Sequence, residues 1–299
     1  MDAPRSGRAA RWAPVLLWVV PALWSSNYVI ARAAEGVIAP HLLASGRWLL
    51  AGLVLLPFAG RGLLEQRAAW RSEWKQLLAL GALGMWICGA WVYLGGQTTT
   101  STNIALIYAA TPVAIVALSA RLLQERMSGL QKLGGALALL GVLFVVTKGQ
   151  LQNLLAVRFT VGDGWIVACA VSWTAYSVLL KYWPSRLSPA QRLVAIIAGG
   201  LVLLLPFTVL EAWLAPGPPL GAKALMLVVV AALFPGALSY AAHAYIQREL
   251  GASRTSLMLY LSPVYGALLA WALLGEVPQA YHLGGAALIL PSIWLATRR

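Results

Sequence analysis

The chain is poor in acid. Nine of its 299 residues are Asp or Glu, and charged residues of both signs make up only 10%, where a soluble domain carries roughly a quarter. Too few charges remain to clothe a water-soluble surface. Cysteine is also scarce: Cys88 and Cys169 both fall inside apolar runs, which excludes a disulfide scaffold and leaves the redox compartment unread. Histidine appears only as His41, His243 and His282, each in a different apolar run. No metal site and no cofactor is expected from such a set. The chain lacks HExxH, GxSxG, Walker A and CxxC patterns, so no nucleophile with its base and no metal centre supports an enzyme.

What the chain has instead is apolar length. Hydrophobic residues make up 60%, and a bilayer core of roughly 30 Å calls for about 20 apolar residues per helix. That ruler yields ten candidate spans, at 12–33, 40–60, 75–95, 99–120, 130–149, 162–183, 189–211, 222–247, 252–274 and 280–297. The first run, preceded by Arg5, Arg8 and Arg11 and ending in Ala31-Arg32-Ala33, has the look of a signal peptide. Its match to an internal segment, Gly164 to Trp183, argues for a retained helix. The net charge of +13 sits between the apolar runs rather than on one face, which excludes nucleic acid as a partner and makes the bilayer the partner. With the N-terminus cytoplasmic, 17 Lys and Arg fall on the cytoplasmic side and 4 on the other, with Arg47 left inside a helix. The bias predicts that both termini are cytoplasmic.

The second half repeats the first. Leu23-Trp24-Ser25-Ser26 is echoed by Ser172-Trp173-Thr174-Ala175, Thr111-Pro112-Val113 by Ser262-Pro263-Val264, and Leu122-Leu123-Gln124-Glu125 by Leu273-Leu274-Gly275-Glu276. The spacing from Trp24 to Trp173 is 149 positions, and from Pro112 to Pro263 and Glu125 to Glu276 it is 151. The expected units are 12–149 and 162–297, five helices each. Five is odd, so the second unit enters the membrane from the opposite side. The fold class is therefore all-α integral membrane: ten transmembrane helices as two inverted five-helix repeats around a central cavity, which rocking opens to alternate sides.

Residues inside the spans carry the rest. Pro112 and Pro263 hold equivalent places and are candidate hinges, as are Pro235 and Gly236. No carboxylate lies mid-span, so coupling to protons or sodium finds no support and movement down the substrate's own gradient is the simpler expectation. His243 is the one group there that titrates near neutrality when unperturbed. Arg47 must find water, a carbonyl or a carboxylate; snorkelling or pairing near the helix end is expected ahead of substrate binding. Glu125 and Glu276 are read as architectural, capping a helix or tying a loop.

Mid-span aromatic and amide groups form two related sets, each needing polar partners in an apolar setting. The first half offers Trp24, Asn27 and Tyr28, then Trp86 and Tyr93, then Asn103 and Tyr108. The second offers Trp173 and Tyr176, then Tyr240, His243 and Tyr245, then Tyr260. These are the candidate cavity residues, and such a lining suits a zwitterion or an aromatic solute better than a phosphate.

The doubled pattern, Pro-Val then Leu-Leu-x-Glu closing spans 4 and 9, followed by Leu133-Gly134-Gly135 and Leu283-Gly284-Gly285, resembles the EamA family of the drug/metabolite transporter superfamily. Within it the chain looks most like the YddG-type amino acid exporters. The resemblance implies a basket-like fold with a central cavity and export without ATP from a bacterial inner membrane. Amino acids, aromatic and apolar ones included, are the expected small-molecule substrates, and a monomer the expected state. Export of drugs, quaternary ammonium compounds or other small metabolites is the alternative; a drug or quaternary cation would favour a carboxylate beside the aromatics.

Overall fold

Proline and glycine punctuate the helices, and apolar runs set their lengths. The computed structural model describes residues 12–60, 65–155, 157–275 and 277–297. Ten helices long and apolar enough to cross a membrane occur among the described residues. They are α1 (Ala13–Ala34), α2 (Pro40–Ala59), α3 (Arg67–Gly96), α4 (Ser101–Ala109 continued by Thr111–Leu122) and α5 (Gly129–Val146). The second five are α6 (Val161–Tyr182), α7 (Pro189–Leu214), α8 (Ala222–Leu250), α9 (Ala252–Ser256, a 3-10 stretch Leu257–Leu261, then Ser262–Leu274) and α10 (Ala280–Thr297). The expected spans match these within a few residues, except that α3 starts at Arg67 rather than at 75. Its first turns carry Arg67, Arg71, Glu73 and Lys75, so apolar length alone hides them.

Helix starts follow their caps. Ser128 and Ser188 form capping boxes with Gln131 and Gln191, and Pro40 and Pro189 sit in the first turns of α2 and α7, where a missing N–H costs nothing. Thr100 accepts from the Asn103 N–H to start α4.

The packing repeats when the halves are exchanged. α2 packs along α7 and α5 along α10; α3 meets α6 as α8 meets α1; α4 meets α6 as α9 meets α1; and α2 meets α8 as α7 meets α3. Small residues set the closest approaches. A Cβ at Gly134 in α5 would stand 2.6 Å from the Ser292 carbonyl oxygen of α10, so only glycine lets these backbones touch. Apolar side chains such as Leu49, Leu53, Val202 and Val209 point outward from α2 and α7, the surface a bilayer would cover.

Two helices change pitch at equivalent places. Residues Ala82–Ile87 of α3 and Ala232–Leu238 of α8 are π-helical, and their starts lie 150 positions apart. A π turn leaves carbonyls without their usual partners, and side chains from neighbouring helices accept that role. Ser172 Oγ donates to Leu83 O (2.8 Å), Tyr240 to Gly84 O (3.2 Å) and Trp48 Nε1 to Met85 O (2.8 Å). In α8, Arg47 Nη2 donates to Pro235 O at 2.8 Å. Met85 and Pro235 are 150 apart, so the neighbours Arg47 and Trp48 on α2 pin the same carbonyl in both halves.

Candidate substrate cavity

A cavity of about 580 Å³ opens at the centre of the bundle. Its mouth is lined by Glu35, Gly36 and Pro40 between α1 and α2, Gly96, Gln97 and Thr99 between α3 and α4, Lys148 after α5, and Tyr281 and His282 at the start of α10. All of these lie on one end of the bundle, the end reached after an odd number of crossings from the N-terminus. The cavity runs between the early part of α4 (Ile104, Ala105, Tyr108) and the late part of α9 (Pro263, Gly266, Ala267).

Its floor is aromatic. Trp24 and Trp173, the two residues at equivalent places in the repeat, meet edge-on with ring centroids 5.1 Å apart. Tyr240 lies against both, at 6.2 and 5.7 Å, and packs on Trp48 at 4.8 Å. His243 sits behind the tryptophans, 5.4 and 5.2 Å from their rings. Below them Ile115, Thr255, Met258 and Leu259 leave no water-sized space. Each ring pair contributes about 0.5–1.5 kcal/mol beyond its burial, so the closed end is held by several such contacts together.

At one edge of the floor are the polar groups. Tyr93 donates its hydroxyl to Asn27 Oδ1 at 2.8 Å, and Arg47 Nη1 reaches the same hydroxyl at 3.5 Å. Arg47 is 4% exposed. It neither snorkels nor pairs near its helix end, contrary to expectation, because the π turn of α8 offers the Pro235 carbonyl at this depth.

Of the aromatic and amide residues singled out in the sequence, Trp24, Asn27, Tyr93, Tyr108, Trp173, Tyr240 and Tyr260 line the cavity. The side chain of Tyr28 lies outside the described residues. Trp86 does not face the cavity: it stacks on Phe207 at 4.6 Å. Asn103 is a structural tie, donating through Nδ2 to the Arg158 carbonyl and to Asp163 Oδ2, both at 2.9 Å. Tyr176 stacks behind Trp173 at 5.3 Å, and Tyr245 lies under Arg248 at 5.6 Å; neither is in the wall. His243 is sealed beneath the floor rather than forming part of it. Pro263 lines the cavity, Pro112 does not, and Pro235 and Gly236 lie in the π turn. Sequence reasoning passed over Cys88, Glu35, Lys148 and Tyr281 in the lining; the last three share a position at or near the mouth-side helix ends, whereas Cys88 lies mid-span, directly after the π turn of α3.

On the opposite end the halves are tied across the repeat boundary. Glu125, after α4, accepts from Lys181 Nζ (2.7 Å), Ala252 N (3.0 Å) and Ser253 N (2.8 Å), combining an ion pair with the N-terminus of α9. Gly251 makes room: its φ is +88°, and a Cβ there would lie 2.8 Å from Glu125 Oε1. Burial pushes the Glu125 carboxyl pKa up, but the donors from Lys181, Ser253 and Ala252 outweigh it and hold the group below the usual carboxylate range. Glu276, its counterpart in the repeat, lies outside the described residues.

Comparison with known proteins agrees with this architecture. The chain is 26% identical over 296 residues to an uncharacterized transporter of Archaeoglobus fulgidus, covering 95% of this chain and 97% of that one. It is 27% identical over 97% of its length to a protein of Streptantibioticus cattleyicolor named a probable terminal-alkyne amino-acid exporter, 94% of which is covered. An S-adenosylmethionine/S-adenosylhomocysteine transporter of Chlamydia trachomatis is 24% identical, over 87% of this chain and 81% of its own. A solved crystal structure superposes with a TM-score of 0.75 over 95% of this chain and 97% of its own at 19% identity, a likeness of fold. The EamA-like transporter family matches twice, at residues 11–147 and 160–298; a cavity between two such halves is what a carrier requires, and the chain belongs to that family of multi-pass membrane transporters.

Proposed function

We propose that this transporter exports amino acids, aromatic and apolar ones among them, from the cytoplasm across a bacterial inner membrane by alternating access. The observation that carries the reading is the cavity floor, where indole and phenol rings adjoin an amide and a guanidinium and, among the described residues, no carboxylate is in reach. Such a floor suits a solute with an apolar side chain and a polar backbone; aromatic faces alone would also accept a quaternary cation, and it is the Arg47 guanidinium that repels one. The relative named as an amino-acid exporter supports the same class.

The units 12–149 and 162–297 are the two inverted repeats of this carrier. The Lys and Arg bias puts both termini in the cytoplasm, so the cavity mouth faces outward. The late part of α4 packs against the early part of α9 on the closed end, while the early part of α4 and the late part of α9 flank the cavity. Exchanging these two arrangements between the halves yields a cavity open to the cytoplasm. Among the described residues no carboxylate lies at the floor, which favours a facilitative cycle; one chain lines the whole cavity, and the carrier works as a monomer.

The test is flux of a panel of labelled amino acids in proteoliposomes, with and without an imposed pH gradient. Flux that follows the amino acid gradient alone supports the proposal. Accumulation driven by the pH gradient would replace the facilitative cycle with a proton-coupled one. Transport of quaternary ammonium compounds in place of amino acids would overturn the substrate class.

A further inference from the structure

Arg47 holds a full charge at the cavity floor with nothing to neutralise it. Among the described residues it has no carboxylate partner within ion-pair distance. A backbone carbonyl takes Nη2, a hydroxyl at 3.5 Å takes Nη1, and Nε has no partner. The Trp48 ring lies 4.5 Å from the guanidinium carbon, a favourable contact that leaves the net charge in place. Pinning the α8 carbonyl explains one N–H. It does not explain a permanent cation, since the equivalent carbonyl in α3 is held by the neutral indole of Trp48. Buried charge in a membrane protein is costly unless it is paired. Elsewhere in the lining, charge lies at the mouth, on Glu35 and Lys148.

We infer that Arg47 and Tyr93 form an anion subsite that binds the substrate's carboxylate, so that the partner Arg47 lacks is supplied by the cargo. The long Nη1 to Tyr93 contact is the place where a carboxylate oxygen inserts, accepting from the guanidinium and from the phenol. Tyr93 then releases Asn27 Oδ1, which is free to accept from the ammonium group beside the carboxylate. The side chain of the substrate falls on Trp24, Trp173 and Tyr240. This rests on the amino acid reading for the ammonium group but not for the carboxylate, and the two can be tested apart.

Calorimetric titration of the purified, full-length transporter with four related compounds separates them: phenylalanine, phenylacetate, phenylalaninamide and phenethylamine. The expected result is binding of both acids, with the amide and the amine at least tenfold weaker. Arg47→Gln should abolish this preference and Arg47→Lys keep part of it, with monodispersity and thermal unfolding checked for each. Should Arg47→Gln fail to fold, Tyr93→Phe gives the second measurement: weaker binding of acids and unchanged binding of the amide. Equal binding of acid and amide by the unmodified protein overturns the subsite while leaving amino acid export standing. Binding of phenylacetate but not phenylalanine keeps the subsite and overturns amino acid export. No binding by any of the four, or an intact preference in folded Arg47→Gln, overturns the subsite.

Discussion

At the scale of single residues, the floor depends on the meeting of two tryptophans that the repeat placed in register. Trp173 is 6% exposed and touches Trp24, Tyr176, Tyr240 and His243. Replacing its indole with a smaller ring, Trp173→Phe, should remove one or two edge contacts, about 1 kcal/mol each, without opening the large void an alanine would leave. The expected outcome is several-fold lower flux in proteoliposomes with protein yield unchanged, and normal flux would move the substrate site elsewhere. The sequence showed which rings were candidates because Trp24 and Trp173 align. It could not separate wall from packing: Trp86 and Tyr176 carry the same signal as Trp24 and Tyr240, but Trp86 is turned onto Phe207 of α7 and Tyr176 onto Gly84 in the π turn of α3.

At the scale of helices, the most extensive contact is that of α5 with α10, where glycine replaces side-chain packing with backbone contact. Gly134→Leu should drive a side chain into the Ser292 carbonyl and cost about 1–3 kcal/mol through overpacking, read as a lower midpoint of thermal unfolding in detergent. Gly164→Ala in α6, where an added Cβ meets nothing within 4 Å, is the matched control and should hold or slightly raise the midpoint. Equal midpoints in the two variants would show that the α5–α10 contact is dispensable. Helix number and spacing were legible from apolar length and from Pro and Gly punctuation. The π turns were not, since Ala82–Ile87 and Ala232–Leu238 look like any apolar helix. Pro235 marked one of them, and was read as a hinge; the ordered donors on its neighbours show why the turn is fixed in place in this structure.

For the whole molecule, the asymmetry between an open end and a closed one rests partly on Glu125, which joins the first half to Lys181 and α9 of the second. Its lowered pKa fixes the sign of the pH effect: the tether is complete above the ordinary carboxylate range of about 4.3 and is lost as pH falls through the lowered folded value. Accessibility of the closed end should therefore be unchanged between neutral and mildly acid pH. Glu125→Gln, which removes the charge at every pH, should let a maleimide reagent reach a Ser256→Cys reporter under the floor several-fold faster. The same slow labelling in both proteins would show that the floor rings alone keep this end shut. Sequence alone found the doubled Leu-Leu-x-Glu and read it as architecture; that it ties one half to the other required knowing that α9 begins beside it.

The cavity's size has a consequence of its own. At about 30 Å³ per molecule in the liquid, a space of about 580 Å³ has room for on the order of twenty waters. A small solute displaces only some of them from the open cavity. On the proposed reading bulk is thus a weak filter, and a molecule somewhat larger or smaller than the usual cargo would be admitted by gaining or losing a few waters. On the same reading, choice falls instead on the floor, where the indole faces and one guanidinium would meet the solute directly.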